Sequence, residues 1–293
     1  MTAMARDNDT SGRAPRAPRA RWAAGRSWWA DLSWTGRVAA VVVLAAGLIV
    51  VFGAAIAPYS ATDLNPEALL VAPSADHLLG TDNYGRDVFS RILVGGRATL
   101  LLALLCTISS MIVGAIVGIT SGYIGGTYDM LVMRIADVLQ SIPSLLIALL
   151  VLAVFGSSIP ILVLAITLVF FPPIARIART AALQVAKLPF TEAAKVRGEG
   201  TLSIVFREVL PNAAPTLLTE AGLRFSHSLL TLAALGFLGL GVQPPTPDWG
   251  LMVNEGRAYM SAAPWVVLAP AAAIALVVLA VNVVIDESKG GRA

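Results

Sequence analysis

Apolar positions in this chain gather into long runs without charge, and run length alone fixes the element type. Val38–Ala57 is twenty uncharged residues closed by Pro58, and Ala98–Thr120 is twenty-three. From Val138 to Ala175 nothing is charged. That is too long for one crossing of a hydrocarbon core about 30 Å thick and long enough for two. Gly156-Ser157-Ser158-Ile159-Pro160 is the natural hinge, giving spans near 130–154 and 160–177. Ala258–Ile285 supplies twenty-eight uncharged residues for a last span. The stretch 213–235 is less apolar because Glu220 and Arg224 fall inside it. Four residues apart on a helix, they share a face and neutralise each other. The pattern predicts an all-α membrane protein with six transmembrane helices.

Composition agrees. The chain is 57% hydrophobic and 13% charged, with a mean hydropathy of +0.77, against about 25% charged in soluble domains. The distribution of basic residues matters more than the net charge of +3. Seven Lys/Arg precede residue 38 and six lie in 176–211, against three in 58–97 and one in 236–263. The positive-inside bias then puts both termini in the cytoplasm. Residues 1–37, rich in Arg, Ala, Pro and Ser, read as a disordered basic tail whose Trp22, Trp28, Trp29 and Trp34 sit at headgroup level. A cleaved signal peptide is disfavoured because the apolar run exceeds the usual 7 to 15 residues or so of such leaders.

Candidate chemistry is sparse. The lone cysteine, Cys106, excludes an intrachain disulfide and a thiolate metal cluster. His77 and His227 are far apart, and neither a metal-ligand spacing nor a Walker sequence is present. No catalytic residue, metal or cofactor is therefore expected, and no nucleic acid. His227, between Ser226 and Ser228, reads as a polar residue facing other helices or a conduction path. Asp137 has Arg134 three residues earlier and reads as one half of a structural salt pair. A proton-coupled carrier wants buried ionisable groups that these spans lack, and an intramembrane hydrolase wants a nucleophile and base that cannot be assembled.

The hydrophilic stretch Arg176–Asn212 is heavily punctuated. Pro189 ends what precedes it, Thr191 is an N-cap candidate, and Glu192 suits the first turn of a helix. Gly198 and Gly200 permit a sharp turn, Thr201 can cap a second short helix, and Pro211 stops it. A compact helical hairpin outside the bilayer is expected.

Glu192-Ala193-Ala194-x-x-x-Gly198, with Leu210-Pro211 ending thirteen residues after that glycine, resembles the EAA motif of the membrane subunits of bacterial ABC importers. Gly80-Thr81-Asp82-Asn83-Tyr84-Gly85-Arg86-Asp87-Val88-Phe89-Ser90-Arg91 is similar to the GTDxxGRDxxSR segment of the dipeptide, oligopeptide and nickel permeases, and Ala234–Gly250 is similar to their run before the last span. The chain departs from the pattern at Glu208, where isoleucine is usual, and in its short basic end. The resemblance implies a type I ABC importer permease fold, with no ATP hydrolysis on this chain. It implies as partners a second permease subunit, two ATPase subunits, an extracytoplasmic solute-binding protein, the lipid bilayer and a small peptide substrate. Glu192, Ala193, Ala194 and Gly198 would form the ATPase-docking surface and turn, Leu210 and Pro211 would close its second helix, and 80–91 and 241–250 would meet the binding protein. The implied organisation is a tail over 1–37, a first transmembrane helix and external segment over 38–97, a core permease domain over 98–285 containing a coupling loop at 179–212, and a short cytoplasmic tail over 286–293. Gly156, Pro160, Pro172 and Pro173 are helix-end candidates for absorbing motion. Nickel chelates and glutathione-like molecules are alternative substrates, and no substrate-binding residue can be assigned.

Overall fold

A computed structural model describes residues 32–290, with side chains described to 287. The expectations for 1–31 and 291–293 fall outside the described residues. The first helix, α1 (Trp34–Ile56), is capped by the Ser33 hydroxyl, which accepts from the Gly36 amide at 3.1 Å. It ends just before Pro58, as the sequence implies. An irregular segment leads to α2 (Val88–Ile124), 37 residues and so about 55 Å long. It starts ten residues before the expected span and is longer than a hydrocarbon core of about 30 Å requires.

The expected span at 130–154 is not one helix. The chain forms α3 (Gly126–Ser141) and α4 (Ser144–Phe155), bent by 92° at the intervening break. Pro143 is the cause: it lacks the amide that would continue α3, and it forces Ile142 into an extended conformation (φ −97°, ψ 133°). Gly156, at φ +82°, then closes α4 where the hinge was expected. α5 (Ile159–Val185) runs longer than its expected 160–177 and holds Pro172 and Pro173 in its interior, so these two are not helix ends.

After α5 come α6 (Pro189–Val196), α7 (Thr201–Ile204), a π turn (Val205–Val209) and α8 (Leu210–Phe237). α9 (Trp249–Gly256) and α10 (Trp265–Gly290) complete the described chain. Among the described residues the only β-type pairing is the isolated bridge between Thr81 and Asp87. By length and composition α1, α2, α5 and α10 can each cross a membrane, and α3 with α4 passes the same test only as a pair, with the geometry of a broken span or a re-entrant loop. α8 matches the expected 213–235 and is long enough to cross. Glu220, Arg224 and His227 leave it less apolar than the others.

The most extensive helix pair is α2 against α5, and its cause is side-chain size. Gly114, Gly118 and Gly122 recur every fourth residue of α2 and meet α5 at Ile174, Ala175, Ala178, Arg179 and Ala182. A Cβ on Gly118 would lie 2.1 Å from the Ala175 carbonyl oxygen. Backbones can approach this closely in lipid only where small residues face each other. α8 packs across both helices and against α10, while α1 lies on α2 and α10. The main core holds Ala103, Cys106, Leu162, Ile166, Leu229 and Trp249, and a second core of mostly small residues sits below it towards α6.

Candidate functional site: a seated hairpin and an external clasp

The segment between α5 and α8 folds as the expected hairpin, with different punctuation. Leu188, not Thr191, occupies the N-cap position, and Pro189 is the first helical residue. Thr191 is fully buried, and its hydroxyl donates to the Val185 carbonyl at 3.0 Å, tying α6 to the end of α5. Glu192 lies in the first turn, exposed, as expected. The C-terminus of α6 closes through two bonds: the Gly198 amide donates to Lys195 O at 3.0 Å and the Glu199 amide to Ala194 O at 3.2 Å. This pairing requires a left-handed residue after the C-cap, and Gly198 supplies it at φ +76°. Gly200, at φ −68°, serves as N-cap of α7, so Thr201 begins that helix without capping it.

Pro211 does not stop the second helix. The chain stays helical from Thr201 into α8, and the Leu210 amide reaches back five residues to the Val205 carbonyl. The proline has no N–H and its ring crowds the carbonyl four residues before it. Widening one turn to π geometry accommodates both defects.

Burial divides the motif residues. Ala194 is fully buried among Ile204, Val205, Val209 and the α5 alanines 178, 181 and 182. It seats the hairpin and presents no surface. Glu192, Ala193, Gly198 and Pro211 are exposed, and Leu210 is half-buried. The Lys195 ammonium stands 5.2 Å from the centroid of the Tyr123 ring at the end of α2, a cation–π contact. Around the turn, Val196 is 89%, Leu202 66% and Phe206 46% exposed. Arg197 donates to Glu199 through Nη2 at 2.6 Å, and its guanidinium holds that carboxyl below the usual carboxylate range. The hairpin is thus fixed at its base to α2, α5 and α8, with apolar and mixed-charge side chains at its tip.

The 80–91 motif builds a clasp. Gly80 and Gly85 adopt φ +71° and +74° and turn the loop. Asp82 accepts from the Tyr84 and Arg86 amides at 2.8 and 3.0 Å, from Arg86 Nε at 2.7 Å, and from Arg91 Nη1. Both arginines also donate to Glu255 Oε2 on α9, at 2.8 and 2.9 Å. Asp87 caps α2, accepting from the Ser90 amide at 2.7 Å, and lies 2.9 Å from His77 Nδ1. The fully buried Thr81 receives the Trp265 indole N–H on its carbonyl at 3.1 Å. Asp248 caps α9 and accepts from the Thr99 hydroxyl at 2.7 Å. Burial pushes its carboxyl up, against the pull of those hydrogen bonds. Trp249 Nε1 donates to Ile92 O at 2.9 Å.

Two features were missed by the sequence reading. Glu255 lies far along the chain from both arginines, and no local pattern announces it. The Gly114/Gly118/Gly122 repeat was present as a spacing. One pairing is corrected: Asp137 meets Arg176 at 2.7 Å, across to α5, in place of Arg134 on its own helix. Beside it, Arg179 grips Asp129 with two bonds, at 2.6 and 2.5 Å. Glu220 and Arg224 do pair as expected, Nε to Oε1 at 2.8 Å. His227 Nδ1 lies 2.7 Å from the Leu223 carbonyl. No cluster of three potential metal ligands occurs among the described residues.

These features define a multi-pass, all-α membrane permease. Comparison with known proteins gives its family: residues 110–288 match binding-protein-dependent transport system inner membrane components, and the chain belongs to that family of ABC importer permeases. The dipeptide transport system permease protein DppC of Escherichia coli is 42% identical over 257 residues, 86% of this chain and 85% of that one. The glutathione transport system permease protein GsiD of Pectobacterium atrosepticum is 39% identical over 253 residues, 84% of each chain. The MetNI methionine ABC transporter, solved in an inward-facing conformation, matches with a TM-score of 0.52 at 19% identity, over 67% of this chain and 93% of that chain. That likeness bears on fold, which is the type I importer permease fold.

Proposed function

We propose that the chain forms half of the translocation path of an ATP-driven importer of short peptides, and that the 189–209 hairpin couples it to ATPase subunits that carry out the hydrolysis. The observation that carries this reading is the contrast within the hairpin: Thr191 and Ala194 lock its base to three long helices, while Val196, Leu202 and Phe206 stand in solvent. The coupling is a population shift: the hairpin responds to the closed ATPase dimer only by binding it differently from the open one. Its rigid seat passes the resulting displacement to α2, α5 and α8.

The rest of the assembly follows from the same reading. The partners are a second permease of similar fold, two ATPase subunits and an extracytoplasmic binding protein, which meets exposed residues such as Tyr84 and Gln243–Thr246. Both termini lie in the cytoplasm, with 98–285 as the core permease domain and 38–97 adding the first span and external segment. Relatives named for dipeptide and glutathione transport both handle short peptides, which supports that substrate class. Val196→Asp tests the docking. Burying a valine contributes about 1.5–3 kcal/mol, so the variant should weaken ATPase association by about tenfold or more and lower peptide uptake in proportion. Co-purification and uptake in a strain lacking the wild-type copy measure both, and unchanged values would refute the docking assignment.

A further inference from the structure

α8 carries a polar stripe. Thr216, Glu220, Arg224, His227 and Thr231 follow at intervals of four, four, three and four, so they share one side of the helix over about 22 Å. The other side of α8 buries Leu217, Leu229, Leu232 and Leu235 in the cores. α5 has a matching row, Arg176, Thr180 and Gln184, all exposed. The two rows meet. A cavity of about 260 Å³ is lined by Arg176, Thr180, Gln184 and Thr216, and higher up the His227 and Phe170 rings approach edge-on at 6.3 Å. Arg176 also opens onto a cavity of about 400 Å³ with Asp129, Arg134, Asp137 and Arg179. The other exposed flanks of the long helices are apolar, among them Leu101, Leu104, Leu150, Val154, Leu268 and Leu276.

A row of polar, at least partly exposed side chains along α8, joined at Thr216 to the row on α5, does not belong against lipid, where each charge costs several kcal/mol. We propose that this wall lines the chain's share of the path, and that Glu220 and Arg224 form the point where the charged ends of a short zwitterionic peptide are met. The inference rests on the importer reading and names the substrate contact within it. Arg224 directs both its Nε and Nη2 bonds to Glu220 Oε1. Among the described residues no donor meets Oε2, which is left to accept from a peptide ammonium. Arg224 can turn its fork to the carboxylate. One ion pair is exchanged for two of the same kind, so the net charge of the site stays at zero. Asp137–Arg176 and Asp129–Arg179 are likewise neutral pairs. Such a wall favours a dipolar solute over a simple ion, and the exchange holds it weakly enough to release.

Single-cysteine variants of the assembled transporter test the placement. Cysteine replacing Thr216, His227 or Thr231 should react with a water-soluble thiol reagent and, during turnover, exchange with the peptide Ala-Ala-Cys supplied as its 2-thiopyridyl mixed disulfide, forming the protein–peptide disulfide and releasing pyridine-2-thione. Cysteine replacing Leu218, exposed on another side of α8, should do neither. Arg224→Gln and Glu220→Gln should each lower uptake of a dipeptide at least tenfold, and the swap Glu220→Arg with Arg224→Glu should recover part of that loss. Reaction of the His227 position only with a lipid-soluble reagent, or wild-type uptake by Arg224→Gln, would overturn the proposal. Absence of ATP-driven peptide uptake by the wild-type complex would instead sink the importer reading, and the thiol accessibility of the wall would still be read.

Discussion

Asp82 shows how much a single side chain is asked to do. It holds two arginines and two backbone amides, and with Arg91 it is 97% withdrawn from solvent, each side chain being 3% exposed. Removing one member of such a pair leaves an opposite charge buried without compensation, which costs about 3–5 kcal/mol, whereas the intact pair adds little net stability. Asp82→Asn should therefore destabilise the protein by about 3 kcal/mol, read as a fall in the thermal midpoint of the purified protein in detergent. Asp63→Asn, on an exposed residue of the same external segment, should stay within about 0.5 kcal/mol. Equal effects from the two would mean that the clasp is ornamental. The GTDxxGRDxxSR residues thus act first on one another: Thr81, Asp82, Asp87 and Arg91 are buried, and the exposed surface of the motif is carried by Tyr84.

Among elements, the decisive contact is α2 on α5. Gly118 sits where an added methyl would meet the Ala175 carbonyl oxygen, a backbone atom held in its own helix and unable to step aside. Gly118→Leu should push the helices apart, cost more than the roughly 1–3 kcal/mol of ordinary overpacking, and lower the yield of folded protein in the membrane. Gly47→Leu, on α1 with open space around the site, serves as the control; matching losses from the two would remove the close-packing argument. Much of this architecture was legible in the sequence because the bilayer admits so few solutions: a charge-free run of twenty residues has to be a helix, and Gly156 ends one in the expected place. What was not legible came from prolines and distance. Pro143 breaks a span where the charge pattern is smooth. Pro211 is absorbed by a π turn that depends on the packing of Val205 and Val209. Thr191 has the residue type of a cap but is drawn inward by the α5 carbonyl of Val185. The Asp137–Arg176 pair and the Arg86–Glu255 bond join residues that only the fold makes neighbours.

At the scale of the whole molecule the two ends have opposite characters. One end is a braced platform in which Asp82, Arg86, Arg91 and Glu255 bind the external segment to α9, and Trp265 binds it to α10. The other is a hairpin rooted in a core built largely from alanine and valine, closed by Ile119, Ile204 and Leu217. On the coupling proposed above, a motion applied at the hairpin would tilt α2, α5 and α8 against that braced end. This polarity requires a definite orientation. On the proposed topology, in which the basic residues of 176–211 keep the hairpin in the cytoplasm, Thr246, exposed in the loop before α9, faces outward. In intact cells a membrane-impermeant maleimide should label cysteine at Thr246 and fail to label cysteine at Leu202. In inside-out vesicles the pattern should reverse, and labelling of the Leu202 position should fall when ATPase subunits are co-expressed. Labelling of the Leu202 position from outside would invert the topology, and accessibility indifferent to the ATPase subunits would disconnect the hairpin from its engine.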